Sequence, residues 1–252
     1  KGESLIDTAQ VLSGYSDIIV MRHPESGSVK EFSNASRVPV INAGDGSNEH
    51  PTQALLDLYT IQQELDVNKK SMDKLRIALV GDLKYGRAVH SLCKILTLFE
   101  NVTFHLISPD ELKLPKEYKT LLERKSTTID ESEDLSKGIS EVDIIYMTRI
   151  QEERFQDKEE AKKYKGLLSL NKNIYTKNCE PNTVIMHPLP RDSRKEANEL
   201  NSDLYNNPNL AIYRQADNGV LIRMALFALV LDIVDEININ TRNVKWYTPN
   251  KN

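Results

Sequence analysis

A chain of 252 residues has room for one large domain or two modest ones. Hydrophobic residues make up 39% and charged residues 28%, with a net charge of −4, which excludes a disordered chain and a globally basic nucleic-acid binder. The longest apolar run, 224–231, is far short of the roughly 20 residues that span a bilayer. The two cysteines, Cys93 and Cys179, cannot build a disulfide framework and point to a reducing, cytoplasmic setting.

The start, Lys1-Gly2-Glu3-Ser4, has no initiator Met, signal peptide or transit-peptide character, so the chain reads as beginning inside a longer sequence. Short β-rich runs then alternate with helical stretches. Strands are predicted at 17–22, 38–42, 76–82, 101–108, 141–148 and 183–187, and helices at 52–65, 87–99, 115–124 and 220–237. Most strands are nearly continuous in apolar residues, as strands covered on both faces are. The fold class is α/β: two domains with parallel sheets flanked by helices. A polar, lysine-rich stretch at 62–73 divides them. The closing helix is apolar around most of its girth, and its expected partner is the first sixty residues.

Chemistry-bearing residues gather at strand ends. After the second strand comes Asn42-Ala43-Gly44-Asp45-Gly46-Ser47-Asn48-Glu49-His50-Pro51-Thr52-Gln53, opening a helix where backbone N–H groups favour an anion or a polarised oxygen. His50 and Gln53, three apart, face the same way; they could grip a carbonyl and an amine, or merely cap the helix. Gly81-Asp82-Leu83-Lys84-Tyr85-Gly86-Arg87 links the third strand to its helix, with Arg87 a guanidinium fork for a carboxylate or phosphate, or an ordinary surface arginine. Neither a dinucleotide fingerprint nor a Walker A loop is present. Arg149 and Gln151 alternate after a buried strand, with Glu153 placed to hold Arg149, although such runs are often solvated charge clusters. His187-Pro188-Leu189-Pro190-Arg191 leaves carbonyls free to accept from an N–H donor, or forms a stiff turn. Arg22 adds a cation at the first strand end. Together these describe a site for a small, multiply anionic substrate. No metal-ligand spacing and no Ser-His-Asp or Cys-His arrangement is apparent, so no cofactor or metal is expected.

These stretches resemble the aspartate carbamoyltransferase catalytic-chain family: KGES at 1–4, MRHP at 21–24, NAGDGSNEHPTQALLD at 42–57, VGDLKYGRAVHSL at 80–92, YMTRIQEER at 146–154, HPLPR at 187–191 and RQADNG at 214–219, in the family's order. The resemblance implies transfer of the carbamoyl group of carbamoyl phosphate to the amine of L-aspartate, an early step of pyrimidine synthesis. It implies that His50 and Arg22 polarise the carbamoyl oxygen, with Arg22 also on phosphate. Gln53 and the carbonyls of Pro188 and Leu189 would hold the carbamoyl nitrogen. Arg87, Arg149 and Gln151 would receive the aspartate carboxylates, with Glu153 orienting Arg149. Lys1 would match a lysine that reaches into a neighbouring subunit's site, in a homotrimer.

The implied domains are 1–60 plus 214–237 for carbamoyl phosphate, incomplete at its N-terminus, 74–213 for aspartate, and a tail at 238–252. The family's phosphate-binding Ser-Thr-Arg-Thr segment and first helix would lie upstream of residue 1. Two other readings stand beside this one. The first is a non-catalytic homologue acting as a scaffold or regulatory partner. The second is ornithine carbamoyltransferase, whose His-Cys-Leu-Pro run is here His-Pro-Leu-Pro.

Overall fold

In the computed structural model, which describes residues 2–123 and 127–239, the chain builds two parallel sheets, each covered by helices. Lys1 and all of the tail from residue 240 lie outside the described residues.

The first unit begins with α1 (Leu5–Leu12), capped by Ser4, whose hydroxyl accepts from the Asp7 N–H at 3.0 Å. Strand β1 (Ile19–His23), α2 (Ser28–Ala35), β2 (Val40–Asp45) and α3 (Pro51–Val67) follow, and β1 pairs with β2 in parallel. Pro51 suits the first turn of α3, where its missing N–H would have no intrahelical partner.

The second unit contains β3 (Arg76–Val80), α4 (Arg87–Leu96), β4 (Thr103–Ile107), α5 (Lys116–Glu123), β5 (Thr128–Ser132), α6 (Leu135–Gly138), β6 (Ile144–Met147), α7 (Lys158–Lys162), α8 (Lys172–Asn178) and β7 (Val184–Met186). Its sheet is parallel throughout, in the order β5-β4-β3-β6-β7. The central strands bury both faces. Ile77 and Leu79 pack with Ile61 and Leu65 of α3 and Leu92 and Leu96 of α4 on one side, while Ala78 and Val80 pack with Ile139, Tyr175 and Leu204 on the other. The chain leaves β3 toward β4 and β5, then returns on its other side as β6 and β7. The crevice outside the carboxyl ends of β3 and β6 is thus a topological switch point, where open α/β sheets bind ligands. Gly81 ends β3 at φ +112°, and the Thr148 backbone after β6 occupies the space a Cβ would need. Only glycine lets the two strand ends come this close.

The chain then returns to α3 as α9 (Ile212–Val230), breaks at Asp232 (φ +55°) and ends in α10 (Val234–Ile239). The closing helix therefore starts eight residues before the predicted 220 and is split in two. Its contact with α3 is also polar where an apolar one was expected. Arg214 Nε donates to Glu64 Oε1 at 2.6 Å, Gln215 Nε2 to Asp57 Oδ1 at 2.6 Å and Asn218 Nδ2 to Thr60 Oγ1 at 2.9 Å. Val220, Leu221, Met224 and Leu229 are exposed in the described structure. No described helix is long and apolar enough to cross a membrane.

Candidate active site

The ends of β1, β6 and β7 and the starts of α3 and α4 bring side chains to one cleft of about 190 Å³ between the two units, lined by Arg22, His50, Gln53, Arg87, Arg149, Gln151, Glu153, Pro188 and Leu189. These nine come from five separate segments, so no helix or strand alone makes the site. Lys1, the remaining predicted residue, lies outside the described residues.

His50 occupies the N-cap position of α3 but makes no side-chain cap. Its backbone N–H donates to Ser91 Oγ at 2.9 Å, while the imidazole lines the cleft with Nδ1 3.4 Å from Thr52 Oγ1. Burial, and then the Arg87, Arg22 and Arg223 cations, lower its pKa to about 4. The ring is therefore neutral at pH 7 and carries a single N–H donor. One turn along α3, Gln53 is buried and its Nε2 donates to Asp57 Oδ1 at 2.9 Å.

Arg87 leans across the end of β2. Gly44, at φ +115°, makes room for it, since a Cβ there would lie 2.8 Å from Arg87 Cζ. Arg87 Nη1 donates to Gly46 O at 2.9 Å. Burial, with Arg22 and Arg154 nearby, lowers its pKa to about 10, so it remains cationic at pH 7. Arg149 is gripped by Glu153 through two bonds, Nη1–Oε2 at 3.0 Å and Nη2–Oε1 at 2.5 Å, a fork that fixes its plane. Gln151 is held twice: its N–H by Asp82 Oδ2 at 3.1 Å and its Nε2 by Tyr85 O at 2.8 Å. Asp82 is fully buried and also accepts from the Tyr85 N–H at 2.9 Å, tying the β3 loop to the β6 loop.

Pro188 and Leu189 follow β7. Leu189 sits at φ +55°, an uncommon conformation for a branched side chain, and its peptide bond to Pro190 is cis. The turn is held by His187, whose Nδ1 accepts from the Leu189 N–H at 2.9 Å and whose Nε2 lies 3.0 Å from Glu199 Oε1.

Two features went unnoticed in the sequence. Arg154 also lines the cleft; its Nη2 donates to Gly46 O at 2.8 Å while its Nε is buried without a partner. It stands inside the Arg149–Arg154 motif, where it read as part of a solvated cluster. Asp57 and Tyr146, joined at 2.5 Å beneath Gln53, read as ordinary helix and strand residues. A carboxylate and a phenol in otherwise apolar runs were the available signal.

Four arginines, one of them paired with a glutamate, a neutral imidazole and a buried amide make a cleft for an anion with a polarisable carbonyl. With such donors fixed in advance, catalysis by positioning and oxyanion stabilisation follows. The fold and site define a group-transfer enzyme working at the carboxyl ends of two parallel sheets.

Known proteins agree. Residues 1–63 match the aspartate/ornithine carbamoyltransferase carbamoyl-P binding domain, and residues 73–230 match the Asp/Orn binding domain of the same family. The aspartate carbamoyltransferase catalytic subunit of Saccharophagus degradans is 64% identical over 247 residues, 98% of this chain and 73% of that protein. That of Cellvibrio japonicus is 63% identical over 248 residues, again 98% and 73%. Among solved structures, the catalytic subunit of M. jannaschii aspartate transcarbamoylase superposes with a TM-score of 0.79 at 45% identity, covering 93% of this chain and 72% of that one. The Trypanosoma cruzi aspartate transcarbamoylase, solved in complex with carbamoyl phosphate and aspartate, superposes with a TM-score of 0.80 at 36% identity, covering 92% and 71%. The chain belongs to the aspartate/ornithine carbamoyltransferase family, and its activity is that of a carbamoyltransferase.

Proposed function

We propose that this enzyme is an aspartate carbamoyltransferase catalytic chain, which transfers the carbamoyl group of carbamoyl phosphate to L-aspartate, giving N-carbamoyl-L-aspartate and phosphate. The observation that carries this reading is the convergence in one cleft of Arg22, His50, Gln53, Arg87, Arg149 and Gln151 with the Pro188–Leu189 turn.

The roles that the family resemblance implies fit the donors and acceptors these residues have left. Neutral His50 donates its N–H to the carbamoyl oxygen, and Arg22 adds a cation there and to the phosphate, so negative charge developing on that oxygen meets fixed donors. Gln53 and the carbonyls of Pro188 and Leu189 accept from the carbamoyl N–H groups. Arg149, whose plane Glu153 fixes, joins Arg87 and Gln151 to receive the two carboxylates of aspartate. Two cationic forks suit a dicarboxylate better than the cationic side chain of ornithine. The attacking amine loses its proton as phosphate leaves, and the departing phosphate takes it; Glu153 is engaged by Arg149 and kept at a low pKa by it.

The working unit in this reading is a cytoplasmic homotrimer with Lys1 completing a neighbour's site. The carbamoyl phosphate domain comprises 1–60 plus 214–237 and the aspartate domain 74–213. The built cleft and its four arginines weigh against a scaffold role. The direct test is carbamoyl transfer with aspartate and ornithine offered in parallel. Turnover on aspartate alone is expected; turnover on ornithine, or on neither by a folded protein, overturns the reading.

A further inference from the structure

Beneath the cleft lies a buried acid to which the roles above give no part. Asp57 sits one helical turn from Gln53 on α3 with no exposed surface. An ionised carboxylate only accepts hydrogen bonds, and three donors converge on this one. Gln53 Nε2 and Gln215 Nε2 reach Oδ1 at 2.9 and 2.6 Å, and the Tyr146 hydroxyl reaches Oδ2 at 2.5 Å. They arrive from α3, α9 and β6, so both units and the returning helix meet on one side chain. Gln215 carries the chain further: its Oε1 accepts the His187 N–H at 2.9 Å, at the base of the turn that bears Pro188 and Leu189.

A glutamine amide has two unlike ends of nearly the same shape. Turned one way Gln53 offers the cleft an acceptor, turned the other way a donor. Asp57 engages the NH₂ end, which leaves the carbonyl oxygen as the end available to the cleft. An apolar residue at position 57 would leave that choice open. We propose that Asp57 is a positioning residue that fixes the polarity of the Gln53 amide and, through Gln215, sets the turn carbonyls of Pro188 and Leu189 into the same acceptor array for the carbamoyl amine. The proposal rests on the carbamoyl phosphate reading above. Its consequence is selectivity: the array favours an NH₂ group over a methyl group of similar size, and Asp57 maintains that preference without touching substrate.

The test compares carbamoyl phosphate with acetyl phosphate, which has a methyl group where the amine stands, in the full chain. Measured quantities are the KM for carbamoyl phosphate and the inhibition constant of acetyl phosphate. For Asp57→Leu, carbamoyl phosphate affinity is expected to fall about three- to tenfold, the worth of one neutral hydrogen bond, while acetyl phosphate changes less than about twofold. Gln53→Leu should show the same selective loss. Asp57→Asn keeps a carbonyl at the Oδ1 position and can donate to the Tyr146 oxygen, so it should retain the preference within about threefold. Retained acetyl phosphate inhibition shows that a variant has folded, and Asp57→Ala and Asp57→Asn decide the matter should leucine not be accommodated. Equal loss of both ligands in the leucine or alanine variant means a merely structural role and overturns the proposal. So does an asparagine variant without the preference. If the unsubstituted enzyme has no preference, or Gln53→Leu leaves it intact, the assignment of Gln53 to the amine fails, and with it both readings; preference lost in Gln53→Leu but kept in Asp57→Leu overturns the positioning role alone.

Discussion

His50 and Asp57 stand less than two helical turns apart on α3, and burial moves their pKa values in opposite directions for the same reason: it disfavours whichever form is charged. The imidazole is lowered to about 4, helped by Arg87, Arg22 and Arg223, and the carboxyl is raised to about 6 against the three hydrogen bonds that favour its ionised form. For His50 the sign has a measurable consequence. The unfolded imidazole binds a proton near its usual 6.5 and the folded one only near 4, so between these values the unfolded chain holds more protons. Stability is therefore lost as the pH falls from 6.5 toward 4, and the loss levels off below that. Replacing His50 with Asn should remove this share of the acid sensitivity. Urea unfolding at pH 7 and pH 4.5 is expected to show the unsubstituted protein losing about 2 kcal/mol more than His50→Asn between the two. Equal losses would mean that the folded state does not keep the ring neutral. A bound anion should also raise the pKa of His50, because it offsets the guanidinium charges that help to depress it; an NMR titration with and without phosphate reads this directly.

At the scale of elements, the strands at the switch point were the most legible part of the sequence. Strands β3, β6 and β7 are apolar on both faces, and a run with no polar face has little alternative to a covered strand. β5 was missed because Thr128–Ser132 is an edge strand, mostly exposed, that pairs only with β4 and carries Asp130 and Glu131 where a buried strand would carry apolar residues. The early start of α9 was missed for a different reason. Arg214, Gln215 and Asn218 look like surface residues, but they face the polar side of α3, so a buried seam has the composition of an exposed one. Site residues were legible where their segment was a recognisable strand end; Asp57 was not, because its role depends on Tyr146, 89 positions away. The close approach of β3 and β6 yields a prediction of its own. Gly81→Ala would place a methyl group against the Thr148 backbone at a φ that L-residues avoid, and Thr148 Oγ1 now donates to Val80 O at 2.8 Å across this junction. A loss of about 2–4 kcal/mol in denaturant unfolding is expected, with a weaker apparent affinity for aspartate because Arg149 follows directly. Stability within about 0.5 kcal/mol of the parent would show that the strand ends can part at little cost.

In the whole molecule the cleft exists only because two units are held together around it. Arg87 and Arg154 both donate to Gly46 O, His50 is tied to Ser91, and Asp57 to Tyr146. These bonds are polar, cross between the units and surround the ligands' position, so closure and substrate binding share the same side chains. The proposed trimer extends this dependence to a neighbouring copy. In its support, α1, close behind Lys1 in the chain, exposes Ile6, Val11 and Leu12, with Tyr15 just beyond it, more apolar surface than so short a helix usually leaves to water. A ring built from one heterologous contact lets each copy lend a residue to the next. Sharing of this kind can be tested without a structure of the assembly. Lys1→Ala and Arg87→Ala should each be nearly inactive as pure proteins. When the two are mixed and allowed to exchange subunits at equal amounts, a site is whole if its body comes from the first variant and its lysine from the second. In a ring with random placement that holds for about one site in four. The expected result is recovery of about a quarter of the parental activity in the whole exchanged population, which is about one whole site in three within each trimer verified as mixed. Activity that stays at the level of the separate variants would mean that Lys1 serves the site of its own copy, or none, and the site would then be contained within a single chain.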